Sequence, residues 1–405
     1  FWSVLVLQVL ILSAVADGKD YSGSQVLRVL KDKRGLVRDF IKKKGLDVWK
    51  KNGDHFDVLV PAKIVQKLKD DLKLNKISFS TMIKNVKEAI EKENPISKTR
   101  SGRTGILNFS QYQRLNSIHD YLDSLAQKYP KFVSVGVMGK SVENRPLKYI
   151  KISSGKPNAK IVFIDGGIHA REWVSPASVL YITRELVENR QNLPKELLDL
   201  DFYILPVLNP DGYEYSHTKD RMWRKNRSKE YKCAGADLNR NFDFKFGGLG
   251  TSSSPCEEDY RGKSAASEPE TKAVQAFLTS IRRNLKAYIT FHSYGQYILI
   301  PYGYDENSPA PGFNQMKKVG DEAARAIRRA TGQEYTVGNT ADTLYPAAGG
   351  SDDWAKAKLG IPYAFTIELR DTGRHGFILP ARFILDTAKE AFEAVKVMSV
   401  AASKA

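Results

Sequence analysis

The feature that most constrains this chain lies after Thr104, where short, almost wholly apolar runs alternate with longer amphipathic stretches. Residues 160–164, 202–207, 287–291 and 363–368 read as strands, and 111–128, 175–188 and 268–283 carry apolar residues at helical spacing. A strand that is apolar on both faces cannot leave either face in water. The runs therefore predict an α/β fold, a mostly parallel or mixed sheet covered by helices on both sides. In such sheets ligand sites form in loops at the carboxyl ends of strands, so the polar residues just after each run are the ones to examine.

Ahead of this body the pattern is smaller and mixed. Gln25–Leu30 and 56–60 read as strands, 33–44 and 64–72 as amphipathic helices, and a third helix is expected from Ile83, with Val86 and Ile90 on one face. That is a small α+β unit. From Glu93 to Thr104 regular structure is denied by Pro95, Ser97, Thr99, Ser101 and Gly102, and Lys98, Arg100 and Arg103 offer trypsin-type cleavage points in an exposed loop. The apolar start, 1–16, ends in Ala14-Val15-Ala16 and reads as a secretory signal that lacks its initiator Met and basic beginning. The expected divisions are a signal over 1–16, a leader unit over 17–92, a linker over 93–103 and the main body over 104–405.

With 405 residues and 42% hydrophobic content, the chain has material for one large core and a smaller second one. Its net charge of +17 is concentrated toward the front, where 17–103 holds 22 Lys/Arg against 12 Asp/Glu. These charges, such as Lys42, Lys43 and Lys44, occupy helical faces without interleaved stacking aromatics, which marks solvated surface and argues against nucleic-acid binding. No run after the start is long and apolar enough to span a membrane. Cys233 and Cys256 suit an oxidising compartment; bridged, they would close a short loop worth about 3 kcal/mol in the chain-entropy model, and two buried free thiols are the other reading.

The sharpest local signal is His169-Ala-Arg-Glu172, directly after the run ending at Ile164 and the turn Asp165-Gly-Gly167. A His and a carboxylate three apart point the same way from a turn or opening helix, as a shared metal requires. Alone, the pattern is common, and a satisfied core histidine would explain His169 equally well. His292 shifts the balance, because it follows the run 287–291 and opens Ser293-Tyr294. Two His and one Glu are a catalytic zinc set that leaves a fourth position for water, one ion per chain. A ligating His gives its second nitrogen to a carboxylate or carbonyl, and Asp237 is the candidate partner for His169.

Further motifs extend the picture: Asn209-Pro-Asp-Gly212, Arg221-Met-Trp-Arg224, Asp237-Leu-Asn-Arg-Asn241, Tyr345 before Gly349-Gly-Ser351, and Glu368-Leu-Arg-Asp-Thr372. With them, the chain from about Thr104 onward resembles the pancreatic-type metallocarboxypeptidases, the A and B digestive enzymes. The leading unit resembles that family's inhibitory propeptide less distinctly, and Cys233 and Cys256 match its disulfide positions. The resemblance implies a mixed eight-stranded sheet with helices on both faces, preceded by a small α+β propeptide domain. It also implies a secreted, monomeric zinc exopeptidase, made as a zymogen and activated by a trypsin-like protease, that removes single residues from peptide or protein C-termini.

Roles follow from the same resemblance. His169, Glu172 and His292 would hold zinc, Glu368 would be the general base and Arg224 would stabilise the oxyanion. Asn239 and Arg240 would bind the terminal carboxylate, Tyr345 would close over it, and Arg171 would serve the approach. In the family the residue after Gly-Gly-Ser forms the base of the side-chain pocket, aliphatic in A-type enzymes and Asp in B-type; here it is Asp352. A carboxylate in a closed pocket is costly unless a cation pairs with it, so terminal Lys or Arg is expected, with Asp352 turned away and Asp353 or nearby lysines neutralising it as the alternative. An A-type preference for aromatic or aliphatic ends is the runner-up. A catalytically inactive binding homologue would need loss of a zinc ligand or of Glu368, and all four are present. Of the sequons at Asn108 and Asn226, the second lies so close to Arg224 that no glycan is expected on it, while Asn108 is open to one.

Overall fold

The computed structural model describes residues 18–33, 35–51, 53–95, 107–229 and 232–405. The expected signal segment and the basic sites Lys98, Arg100 and Arg103 lie outside the described residues.

The leader unit runs β1 (Gln25–Leu30), α1 (Leu36–Lys44), β2 (Asp47–Lys51), β3 (His55–Val60), α2 (Ala62–Leu74), β4 (Phe79–Ile83) and α3 (Val86–Glu93). Its strands form an antiparallel sheet in the order β2-β3-β1-β4. Because side chains alternate along a strand, Leu27, Val29, Phe56 and Val58 meet Val37 of α1 and Val65, Leu68 and Leu72 of α2 on one face. On the other face Val26, Trp49 and Leu59 pack with Met222, Tyr294, Phe377 and Ile378 of the main body. The leader thus spends a whole sheet face on the body.

Two helix starts differ from the sequence pattern. The helix expected from residue 33 begins at Leu36: Gly35 is left-handed, with φ of 75°, and the Asp32 carboxylate accepts from the N–H groups of Leu36 and Val37 at 3.0 and 2.9 Å. The helix expected from Ile83 begins at Val86, since Ile83 pairs with Val26 in the sheet and the Asn85 side chain caps the helix by accepting from Glu88 N–H. Glu93, which the composition placed at the head of the break, is the last residue of α3 and is buried.

The body contains β5 (Val133–Lys140), β6 (Pro146–Ile152), β7 (Ile161–Gly166), β8 (Asp201–Leu205), β9 (Leu285–Ser293), β10 (Tyr297–Ile300), β11 (Thr336–Asn339) and β12 (Tyr363–Leu369). They form one mixed sheet in the order β11-β10-β12-β9-β7-β8-β6-β5, with β12, β9, β7 and β8 parallel at its centre. Val162, Ile164, Ile289, Phe365 and Ile367 face a core shared with α4 (Leu115–Lys128), α5 (Val174–Val187) and the helices Phe313–Thr331 and Ile384–Ser403. Phe163, Tyr288 and Ala364 face a second core under the helices Pro269–Ile281 and Ser351–Leu359. This is the expected eight-stranded sheet covered on both sides.

Cys233 and Cys256 are disulfide-bonded, closing the loop that carries Asp237 to Arg240. No helix among the described residues is long and apolar enough to cross a membrane. Asn226 is wholly buried: its amide donates to Glu268 and Glu270 at 2.8 and 3.1 Å, and its carbonyl accepts from Ala236 N–H at 2.8 Å. Burial therefore keeps a glycan off this sequon in the folded chain, a stronger reason than its distance in sequence from Arg224.

Candidate active site

The carboxyl ends of three adjacent strands, β7, β9 and β12, converge on one cleft. After β7 the chain turns through Gly167, at φ of 64°, where a Cβ would lie 2.9 Å from Pro176 Cγ and 3.3 Å from Val207 Cα; only glycine fits. Ser175 Oγ accepts from Gly167 N–H at 3.0 Å and donates to the Phe291 carbonyl at 2.6 Å, tying this turn to β9 one residue before His292. His292 does not follow its strand, as the apolar run 287–291 suggested, but lies inside it, as the direct register partner of Glu368 in the parallel β9–β12 pair. Backbone pairing continues past the point where apolar side chains stop.

His169, Glu172 and His292 meet there, all buried, with candidate ligand atoms within 4.8 Å of one another. His169 Nδ1 is 2.8 Å from Glu172 Oε1, His292 Nδ1 is 3.2 Å from Glu172 Oε2, and the two Nδ1 atoms are 3.2 Å apart. Glu172 Oε2 also accepts from Ser293 N–H at 3.2 Å, and His169 Nε2 lies 3.1 Å from Asp237 Oδ1. Burial alone would raise the Glu172 carboxyl, but His169 and His292 outweigh it and hold Glu172 far below the ordinary range. Two imidazole nitrogens and a carboxylate, with one ring oriented from behind by an acid, fit a zinc ion.

Asp237 joins this triad to a cluster of arginines. Arg224 donates to its Oδ2 from Nε and Nη2 at 3.1 and 2.7 Å and brings Nη1 to 3.9 Å from Glu172 Oε1. Arg240 Nη1 is 3.9 Å from the same Oδ2. Against the upward push of burial, Arg224, His169 and Arg240 keep Asp237 well below the usual carboxylate range. Arg240 donates to the carbonyls of Gly250 and Asn239, and the Asn239 side-chain oxygen accepts from Ser351 N–H at 2.9 Å. The Gly349 turn therefore abuts the arginine, and a Cβ on Gly349 would sit 2.3 Å from the Arg240 carbonyl. Tyr345 lines the same cleft.

Glu368 stands beside the triad with Oε2 free of any hydrogen bond, and burial pushes its carboxyl up to about 7 against the pull of His292. Asp352 lies in the first turn of the helix Ser351–Leu359, not in a loop, and lines the cleft with Oδ2 unpartnered. Its neighbour Asp353 turns the other way and accepts from Gly303 N–H at 2.8 and 2.9 Å. Among the described residues no ion pair reaches Asp352, so neither neutralising alternative is realised. Asp165 stands out in the structure alone: its buried carboxylate accepts from Tyr288 and Thr290 hydroxyls, each at 2.6 Å, and is raised by burial to about 6. An acid closing an otherwise apolar run was the available signal.

A zinc carboxypeptidase family model matches residues 118–394, and a carboxypeptidase activation peptide model matches residues 31–93. The chain belongs to the zinc carboxypeptidase family. It is an exopeptidase with proenzyme architecture. Carboxypeptidase B of Astacus astacus is 43% identical over 296 residues, covering 72% of this chain and 97% of that one. Carboxypeptidase A1 of Sus scrofa is 37% identical over 410 residues, covering 97% of each. The crystal structure of thrombin activatable fibrinolysis inhibitor superposes with a TM-score of 0.87 at 36% identity, over 95% of this chain and all of that one. Relatives of both the A and the B name match, so likeness alone leaves the terminal-residue preference open.

In this carboxypeptidase the activation peptide reaches the cleft directly. Arg171, only 1% exposed, gives Nη1 to Asp47 of β2 at 3.0 and 2.8 Å and lies 4.3 Å over the ring of Phe377. Arg221 forms a two-pronged pair with Glu93 at 2.7 and 2.6 Å and stacks 3.6 Å over Trp173. Asp220 is bonded by Lys19 and Tyr21, and the Tyr294 hydroxyl donates to Asp57 at 3.0 Å. Trp49 and Lys50 line the cleft itself. None of these leader residues was singled out from sequence; acids at the ends of elements in a strongly basic unit were the only hint.

Proposed function

We propose that this carboxypeptidase holds one zinc ion on His169, Glu172 and His292 and prefers peptides ending in Lys or Arg. Zinc, when bound, supplies Lewis acidity at the scissile carbonyl and toward water. Glu368 Oε2 takes the proton of the attacking water and hands it to the leaving amine, a task suited to a carboxyl held near neutrality. Arg224, pinned by Asp237, presents its guanidinium to the developing oxyanion. Arg240 and Asn239 bind the terminal carboxylate, which restricts attack to the last residue, and Tyr345 closes over it. Arg171 serves the approach once Asp47 has left.

The preference rests on one observation, the unpartnered Oδ2 of buried Asp352. A basic side chain would pair with it, whereas an aromatic or aliphatic one would bury it uncompensated. The unit up to Glu93 keeps the secreted, monomeric enzyme latent by covering the cleft, and a trypsin-like protease releases it by cutting at Lys98, Arg100 or Arg103. The test is to treat the purified chain with trypsin and follow peptides ending in Arg, Lys, Phe and Leu before and after. Release of Arg and Lys should appear only after treatment and exceed that of Phe and Leu. Faster release of Phe or Leu would establish the A-type preference instead, and equal rates before and after would remove latency.

A further inference from the structure

Lys50 of β2 is 7% exposed, yet among the described residues it forms no ion pair. Buried ammonium groups need compensation, and here aromatic faces supply it. Its Nζ lies 5.0 Å from the ring centroid of Tyr297 and 5.7 Å from that of Tyr294. Tyr297 is the register partner of Glu368 across the β10–β12 pair, so the ammonium sits at a corner built from two tyrosine rings beside that carboxylate. Lys50, Glu368, His169 and His292 line the same cleft. Among the described residues no hydrogen bond, ion pair or ring contact joins the leader to Asp352.

The cleft therefore contains two places fitted to a cation. One is the floor at Asp352, whose Oδ2 has no hydrogen-bond partner. The other is the Tyr294–Tyr297–Glu368 corner, which the leader fills with a lysine of its own. We infer that in the activated enzyme this corner is a second cation subsite, taking the side chain of the residue immediately before the scissile bond. This assignment rests on the reading above, in which the terminal side chain enters the Asp352 pocket and the scissile carbonyl faces the His169–Glu172–His292 triad. The preceding residue must then lie outside that pocket, and the corner Lys50 fills adjoins the triad through Glu368, whose register partners are His292 on β9 and Tyr297 on β10. The preferred substrates are peptides ending in two consecutive basic residues, and the leader keeps the site latent partly by presenting one of those charges in advance.

The test uses trypsin-activated enzyme freed of its leader and peptides of one length ending in X-Arg, with X as Lys, Arg, norleucine or Ala. Norleucine has the lysine stem without the charge, so it separates packing from the cation. Lys and Arg at X should exceed norleucine in kcat/KM by about 3- to 10-fold, the range of a partly desolvated cation–π contact. Tyr297→Leu should flatten the series, and Tyr297→Phe, which keeps the aromatic face, should retain it. Equal rates for Lys and norleucine in the parent enzyme would overturn the subsite, even if Tyr297→Leu fails to fold. A parallel series with X fixed as Ala and the terminal residue changed from Arg to Phe reads Asp352 alone, so failure of the terminal pocket and failure of this corner give different results.

Discussion

At the floor of the cleft Asp352 keeps a carboxylate oxygen without a partner, whereas at the mouth Arg171, Arg221, Asp220 and Tyr294 each already hold a group from the leader. The floor is assembled wholly from the body, by Asn239 accepting from Ser351 and by Asp353 accepting from Gly303. The mouth is complete only while a separable part of the chain is attached. On the proposed reading, selectivity would belong to the body and silence to the leader. The two should be alterable one at a time.

The largest expected effect falls between the two regions. Glu368→Gln keeps the shape and the metal ligands but removes the base, so kcat should fall by about 100- to 10,000-fold with KM nearly unchanged. The residual activity should still prefer basic ends and still require cleavage of the leader; a change in KM alone would make Glu368 a binding residue. Next comes the floor. Asp352→Ile should erase a preference of about 100-fold for terminal Arg over Phe, equivalent to about 2.7 kcal/mol. Zinc content, measured on the same samples, and latency should not move. If the variant still favours Arg, the floor's charge lies elsewhere and the contrast fails.

At the mouth, Glu93→Gln leaves Arg221 buried without its counter-charge, a change costly enough to loosen the leader. Activity of the uncleaved chain should rise by roughly 10-fold, since one lost buried pair of several is worth more than about 1.4 kcal/mol, while the Arg-to-Phe ratio of the cleaved enzyme stays put. A shift in that ratio would show the two regions to be coupled. The smallest effect probes neither region. Burial raises the Glu270 carboxyl to about 7, above its unfolded value, so its contribution to stability is full at low pH and is lost as pH climbs through about 7. Glu270→Gln should therefore raise Tm by roughly 2–4 °C at pH 8 relative to its effect at pH 5, without altering latency or preference. Calorimetry at the two pH values checks the sign.

Much of this arrangement was legible in the residues. The apolar runs located β7, β9 and β12, and the polar residues at their ends included every member of the triad. What escaped was decided by tertiary contact. β2 was not recognised because Asp47-Val-Trp-Lys-Lys51 mixes polar and apolar residues without the alternation of a half-buried strand; its Trp49 packs against distant residues of the body such as Phe377. β4 went unseen for a similar reason, its residues being half-buried along most of their length. The pairs Asp47–Arg171 and Glu93–Arg221 join residues more than a hundred positions apart, and no local pattern announces such a partner. Asp352 and Asp353 are adjacent and chemically identical, and it is the fold that tells them apart, giving Asp353 the backbone N–H of Gly303 and Asp352 a place in the cleft.

The spacing of the triad along the chain bears on how the molecule is made. His169 and Glu172 are near neighbours, but His292 is 123 residues away from His169 and reaches it only through the β7–β9 pairing. Closing so long a loop has an entropic cost that must be met before the pairing rewards it. A metal ion cannot recruit His292 in an unfolded chain as it recruits ligands in a small zinc module, where binding and folding coincide. With the proposed ligands, the centre of the sheet would form first, and the ion would arrive at a finished seat. Chelation should therefore silence the enzyme without unravelling it, and a newly made chain can wait in its native shape for metal.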